Sequence, residues 1–380
     1  MLSKFTLWKL SCLLLLFPSV TLSATLPKST EEILQRLKLD PVILANVESE
    51  LQVPKDWIER ARKEGKVRIF ATLEPAQLNT LLAPFKERYP FIAVETAEAS
   101  REDRAVRTLV AYKSGRIFTD VLEAVGGTFY MFKEENALED LRSIPTVKNL
   151  PEGTKDPEGL WVGTYKLYWC MAYSTRSVRK EDLPKKWEDL LTNPRWRGGN
   201  IGLVNRPNLW LLQLWKTKGE KWARDFIARL FSDVKPQLRK EGGSSLLELL
   251  AAGEFHAVIP ANPARTYQKV SAGAPLGYHC PEPAPASVNE AVILKGATNQ
   301  YAARLYLNWL LSKEGQIALY AAQRATPVHR DLARKEFIPF ADSILGREES
   351  FRDPGLETKV LPRLLEVWSD WWSRGGTRLR

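Results

Sequence analysis

The chain has 380 residues, 44% of them hydrophobic and 10% aromatic, which is a globular composition with length for two ordinary domains and excludes disorder of the whole. Its formal charge is +10. The basic residues are scattered among acids rather than gathered in a run, which argues against nucleic acid as a partner and favours anionic ligands or an anionic surface.

Lys4 and Lys9 precede an apolar run, residues 10–17, that is too short to span a bilayer, and small residues follow at Thr21, Ser23 and Ala24. Residues 1–24 are therefore expected to be an export signal cleaved near Ser23 or Ala24, with an uncleaved anchor as the alternative. Loss of Lys4 and Lys9 with it, and of no acid, takes the charge from +10 to +8. Two cysteines remain, Cys170 and Cys280. In an oxidising compartment they can pair, but the expectation is two separate buried thiols, since free cysteine is commonly a small core residue.

Residues 25–64 read as a helical lead-in, with Ser29 to Glu32 resembling a capped start and Trp57, Ile58 and Ala61 forming an apolar stripe. Residues 67–71 suit a strand buried on both faces, and 93–96 its parallel neighbour. Between them Glu74-Pro75 starts a helix carrying Leu78, Leu81, Leu82, Phe85 and Tyr89 at helical spacing, with Pro84 expected to kink it and Pro90 to end it. In an open parallel sheet ligands bind beyond the carboxyl ends of the strands, which puts residues 72–74 and 98–101 on the rim of a crevice.

A helix over 103–114 and a strand over 119–125 follow, then Gly126-Gly127, where a tight turn or a close approach to a ligand is expected. Residues 147–161 read as a surface connection. The aromatic run 163–174 is a strand long enough to pass from one lobe to another. Helices are expected over 183–191, 208–215, 221–231, 246–252 and 299–323, and strands over 200–205, 257–259, 276–280 and 287–294. Gly242 to Ser245 form a helix start whose free N–H groups can hold an anion. The tail over 337–372 is helical and ends in Trp368, Trp371 and Trp372, three of 13 tryptophans assigned mainly to packing.

Several stretches together carry a family resemblance: residues 64–89, Gly253-Glu254-Phe255 running into the strand at 257–259, Gly273-Ala274-Pro275, AVILKGA at 291–297, LYLNWLLSKEGQ at 305–316 and PVHRD at 327–331. In that order and spacing the chain resembles an extracellular solute-binding protein of an ABC importer, in the α/β, two-lobed type II periplasmic-binding-protein fold, nearest the ferric-ion-binding branch. The resemblance implies a first lobe over 65–165 and 287–380, a second over 166–286, strands crossing twice between them, and closure of the lobes on a solute. It also implies a periplasmic or extracellular monomer that serves a membrane permease and its ATPase, with no cofactor and no catalysis. The ferric binders carry adjacent tyrosines where this chain has Pro260 to Ala264, so metal binding by their route is not expected, and His256, His279 and His329 show no ligand spacing.

Arg101, Arg206 and Arg265 fall at loops expected near the cleft, and a guanidinium offers a planar fork to carboxylate or phosphate. A small anionic or zwitterionic solute is the expectation, with Glu74 available to an amine. By loop position the candidate ligand-binding residues are Thr72, Glu74, Ser100, Arg101, Gly126, Tyr165, Asn205, Arg206, Ser244, Asn262 and Arg265. An Fe(III) carrier without the tyrosine pair, an enzyme on the same fold and a sensor-associated protein are the alternatives; no GxSxG, HExxH or P-loop motif is present.

Overall fold

The computed structural model describes residues 26–71, 73–98, 101–352 and 354–376. The expected export signal and the candidates Thr72 and Ser100 lie outside them, as does the side chain of Arg101. The strands among the described residues are, in chain order, β1 (Lys66–Ala71), β2 (Ala93–Glu98), β3 (Val121–Glu123), β4 (Val162–Tyr168), β5 (Cys170–Ser174), β6 (Ile201–Val204), β7 (Gln237–Arg239), β8 (Ala257–Ala261), β9 (Leu276–His279), β10 (Ala284–Ile293) and β11 (Glu349–Phe351).

Two sheets result, one per lobe. In the first, β1 lies parallel between β2 and β3, and β10 runs antiparallel to β3 and β4 and parallel to β11. The second has the order β7-β6-β8-β5-β9, with β6 parallel to β7 and β8, and β5 antiparallel to β8 and β9. Each sheet is covered by helices. Val67, Ile69, Phe85, Val121, Tyr306 and Trp309 are buried in the first core, and Trp187, Leu203, Trp210, Ile227 and Ile259 in the second.

β1 alternates rather than being buried on both faces: Val67, Ile69 and Ala71 are buried, whereas Arg68 and Phe70 are only half-buried. The reason is local. Arg68 faces Asp120, to which its Nη2 donates at 2.7 Å, and Phe70 packs on the ring of Phe118. The helix Pro75–Arg88 continues through Pro84, which is buried inside it.

The expected single helix over 299–323 is two, Gln300–Leu310 and Lys313–Gln323. Ser312 breaks it, its Oγ accepting from the N–H of Gly315 as the cap of the second helix. A Cβ on residue 315 would stand 2.2 Å from the carbonyl oxygen of Trp309, so only glycine lets the second helix turn so closely against the first.

The lead-in docks on the first lobe through buried charge. Arg88, on Pro75–Arg88, pairs with Glu48 of the lead-in at 2.7 Å and with Glu314, which also accepts from Thr30 Oγ1 at 2.7 Å and from Trp309 Nε1 at 2.8 Å.

The chain passes between lobes at Trp169, between β4 and β5, and returns between β9 and β10. The lobe boundaries expected at 165/166 and 286/287 thus shift to about residue 169 and to residues 280–283. Cys170 and Cys280, expected as separate thiols, form a disulfide beside these two crossings (S–S 2.11 Å). The register that brings β5 against β9 sets their Cα atoms 5.0 Å apart, within bridging range.

The chain also crosses more than twice. Ile338 and Ile344 pack with Tyr278 and Leu276 of the second lobe, β11 returns to the first sheet, and the helix Pro354–Gly376 then lies on the second lobe. That corrects the assignment of the whole of 287–380 to the first lobe. Val360, Leu364 and Trp368 form the helix's buried stripe, and Trp368, Trp371 and Trp372 surround Phe231. An apolar stripe announces burial, not the partner it is buried against.

Candidate functional site

Between the lobes lies a cleft of about 540 Å³. The first lobe contributes Glu74 and Gln77 from the start of the helix Pro75–Arg88, Tyr165 and Lys166 from β4, Asn289 from β10, and residues 323–326 after the helix Lys313–Gln323. The second contributes Ser244 from the helix Gly243–Ala252 and Asn262, Arg265 and Lys269 at and within the helix Pro263–Ser271. Trp169, at the crossing, is also on the wall. Both second-lobe helices begin at the cleft, where the positive end of the helix dipole favours negative charge.

Of the candidates named from sequence, Glu74, Tyr165, Ser244, Asn262 and Arg265 come together on this wall. Several have work within the protein. Glu74 N–H donates to Gln77 Oε1 at 3.0 Å, closing the start of its helix, and Asn262 Oδ1 caps the helix Pro263–Ser271 by accepting from Arg265 N–H at 3.1 Å. Arg265 Nη1 donates to Ser244 Oγ at 3.0 Å, joining two helices of one wall.

Three candidates do not line the cleft. Gly126 donates its N–H to the buried Glu290, so that group is already taken. Asn205 accepts from Trp368 Nε1 at 2.8 Å, held by the C-terminal helix. Arg206 is exposed beside it, outside the wall. Their loop follows β6 as expected, but the helix Pro354–Gly376 occupies the neighbouring space.

Sequence reasoning missed Lys166, Lys269 and Arg324. Lys166 carried a signal, because a lysine inside an aromatic strand needs a partner: its Nζ is bonded to both carboxylate oxygens of Glu349, at 3.1 and 3.3 Å. Lys269 pairs with Glu248 at 2.7 Å. Arg324 ends its helix in the left-handed region, φ +56°, with its guanidinium 4.9 Å from the ring centre of the buried Tyr320. Nothing in the sequence distinguishes it from other arginines. On the same wall, Gln323 Nε2 is buried without a hydrogen-bond partner in the structure.

Among the described residues, four cations therefore line the cleft with one carboxylate, Glu74. In the stretch Pro260 to Ala264 after β8, this chain has the Asn262 cap and Pro263 at the first helical position, and no phenol. Among the described residues no group of three His, Cys, Asp and Glu side chains is placed to hold a metal ion. The histidines lie elsewhere: burial pushes the His279 imidazole down while its Nε2 meets the Pro184 carbonyl at 2.7 Å, and His329 pairs with Glu50.

A family model of bacterial extracellular solute-binding proteins matches residues 122–345. An uncharacterized protein of Haemophilus influenzae is 34% identical over 145 residues, 36% of this chain and 40% of that relative, so the chain spans less than half of the relative's length. Among solved structures, Trichodesmium IdiA (FutA) in complex with iron and citrate is similar at a TM-score of 0.68 and 18% identity, over 81% of this chain and 99% of that one. Iron-bound HitA from Pseudomonas aeruginosa reaches 0.65 at 19% identity, over 80% and 99% of the two chains. AfuA from Actinobacillus pleuropneumoniae, with fructose-6-phosphate bound, reaches 0.59 at 20%, over 81% and 99%. These likenesses carry the two-lobed fold. With more than half of its length matched by the family model, the chain belongs to the bacterial extracellular solute-binding proteins.

Proposed function

We propose that the protein is the exported solute-binding component of an ABC importer, a monomer that captures a small anionic solute between its lobes and hands it to a membrane permease driven by an ATPase. The observation that carries the anion is that, among the described residues of the cleft wall, Arg265 and Arg324 have no carboxylate partner and stand with Glu74 as the one acid. Lys166 and Lys269 are each paired with a carboxylate, Glu349 and Glu248, that offsets their charge, so the guanidiniums of Arg265 and Arg324 are the groups left to meet the anion. Two helix starts on the second wall add to the same potential.

The related structures support a solute of this kind, since citrate and fructose-6-phosphate are both anions. Iron by the ferric binders' route has less support, because a helix cap stands where their phenolates would be. Thr72, Ser100 and Arg101 belong to this proposal on sequence grounds, at the carboxyl end of β1 and after β2. The export signal and a periplasmic or extracellular location belong to it as well; no helix among the described residues is long and apolar enough to cross a membrane.

The test is a thermal-shift and calorimetric screen of small carboxylates, phosphate esters, amines and Fe(III) on the purified protein. Saturable binding of an anion, weakening as salt is raised, is the expected result. Tight Fe(III) binding with no response to any anion contradicts the proposal.

A further inference from the structure

Arg265 and Arg324 face one cleft from opposite lobes, and neither has a carboxylate partner among the described residues. Lys166 and Lys269, the other cations of the wall, are each bonded to an acid. Arg265 leans on a neutral hydroxyl, Ser244 Oγ, and Arg324 on the face of a neutral ring, Tyr320. Each guanidinium thus keeps N–H groups and a full charge for something else.

Resting on the anion-carrier reading above, we propose that these two arginines act as one clamp, selecting a solute that carries two negative charges, as a phosphate monoester or a dicarboxylate does. A monoanion satisfies one guanidinium and leaves the other facing it across the cleft as an uncompensated charge. A dianion neutralises both and bridges the lobes, so the second charge acts through the closed state rather than through either wall alone. Glu74, the only carboxylate on the wall among the described residues, sits at the start of the helix Pro75–Arg88 and does not cancel either arginine, having no ion pair to them.

Arg324 also has a bland role available. A cation at a helix C-terminus is favoured by the dipole, so its loss can cost stability without touching selection. The experiment must separate the two.

Calorimetry with glycerol 3-phosphate and succinate as dianion probes, and glycerate and butyrate as singly charged counterparts, on wild type, R265Q, R324Q and R324K does so, with circular dichroism and melting as fold controls. The expected result is that wild type prefers at least one dianion over its monoanion by about tenfold or more, the scale of one charge-assisted bond. R265Q and R324Q should each bring that ratio close to one, and R324K should restore part of it. A ratio unchanged in R324Q or in R265Q overturns the clamp and leaves the anion carrier standing, as does wild-type binding of monoanions as tight as of dianions. Wild type that binds none of the four probes overturns the clamp as stated, and the anion carrier then stands or falls on the wider screen above.

Discussion

Asp120 is fully buried, yet its carboxyl sits below the ordinary aspartate range. Burial pushes it up, but hydrogen bonds from the Arg68 side chain, from Asn299 Nδ2 at 2.9 Å and from Arg68 N–H at 2.8 Å outweigh that push. A group whose native pKa is depressed contributes stability that is present above its unfolded pKa and lost as pH falls through the native one. Asp120→Asn leaves Arg68 facing a neutral partner and is expected to cost about 3 kcal/mol at pH 7, at the low end for a broken buried pair because Arg68 keeps 21% exposure. Urea unfolding of both proteins at pH 7 and at pH 2 to 3 checks the sign. The gap should narrow in acid, where the wild-type pair is lost too; a gap independent of pH contradicts the assignment. On the cleft wall, Arg265→Ala should weaken an anionic ligand by at least about 1.5 kcal/mol while leaving the melting temperature nearly unchanged, since it is exposed and its side chain is bonded, among the described residues, only to Ser244. Equal affinity in the variant, measured by calorimetry, would remove Arg265 from the site.

Elements differ in how openly the sequence announces them. β1, β2 and the helix between them were legible because apolar period and a Glu-Pro start agree. Asn262 followed by Pro263 also fits a cap with proline at the first helical position, a signal that the selection of Asn262 by loop position did not use. The break at Ser312 was written in the sequence, Ser-Lys-Glu-Gly, but hidden within a continuous apolar pattern. Gly315→Ala tests its meaning. In an open helix the change would gain up to about 1 kcal/mol. Here the new Cβ would meet Trp309 O at 2.2 Å and Leu310 Cα at 2.6 Å, both backbone, so overpacking wins and a net loss of about 1–3 kcal/mol is expected. A thermal melt showing no loss would mean that the two helices separate easily. What the sequence did not disclose were pairings across long distance: Trp368 on Asn205, Cys170 on Cys280, and Arg324 across the cleft from Arg265. Each depends on strand register or on which lobe a late segment returns to, and side-chain periodicity holds no information on either. The disulfide closes a loop of 110 residues that contains nearly all of the second sheet and its helices. Cys170→Ser with Cys280→Ser should therefore lower stability by about 2–4 kcal/mol. Hydrogen exchange should quicken in β5, β8 and β9 before β1 and β3; uniform loss in both sheets would show that the lobes unfold as one.

At the scale of the molecule, two sheets with separate cores are joined by crossings at Trp169 and near Cys280, with the 338–345 segment and the C-terminal helix laid across the same region. The cleft lies between them, with Arg324 on one wall and Arg265 on the other. A ligand shifts such an equilibrium only by the difference in its affinity for the open and shut states, and an anion touching both walls has that difference. Small-angle scattering with and without a saturating dianion that calorimetry shows to bind is the direct measurement. The radius of gyration should fall on binding and stay at the unliganded value in R324Q at the same ligand concentration. A bound protein whose scattering curve superimposes on that of the unliganded one would contradict closure around the solute.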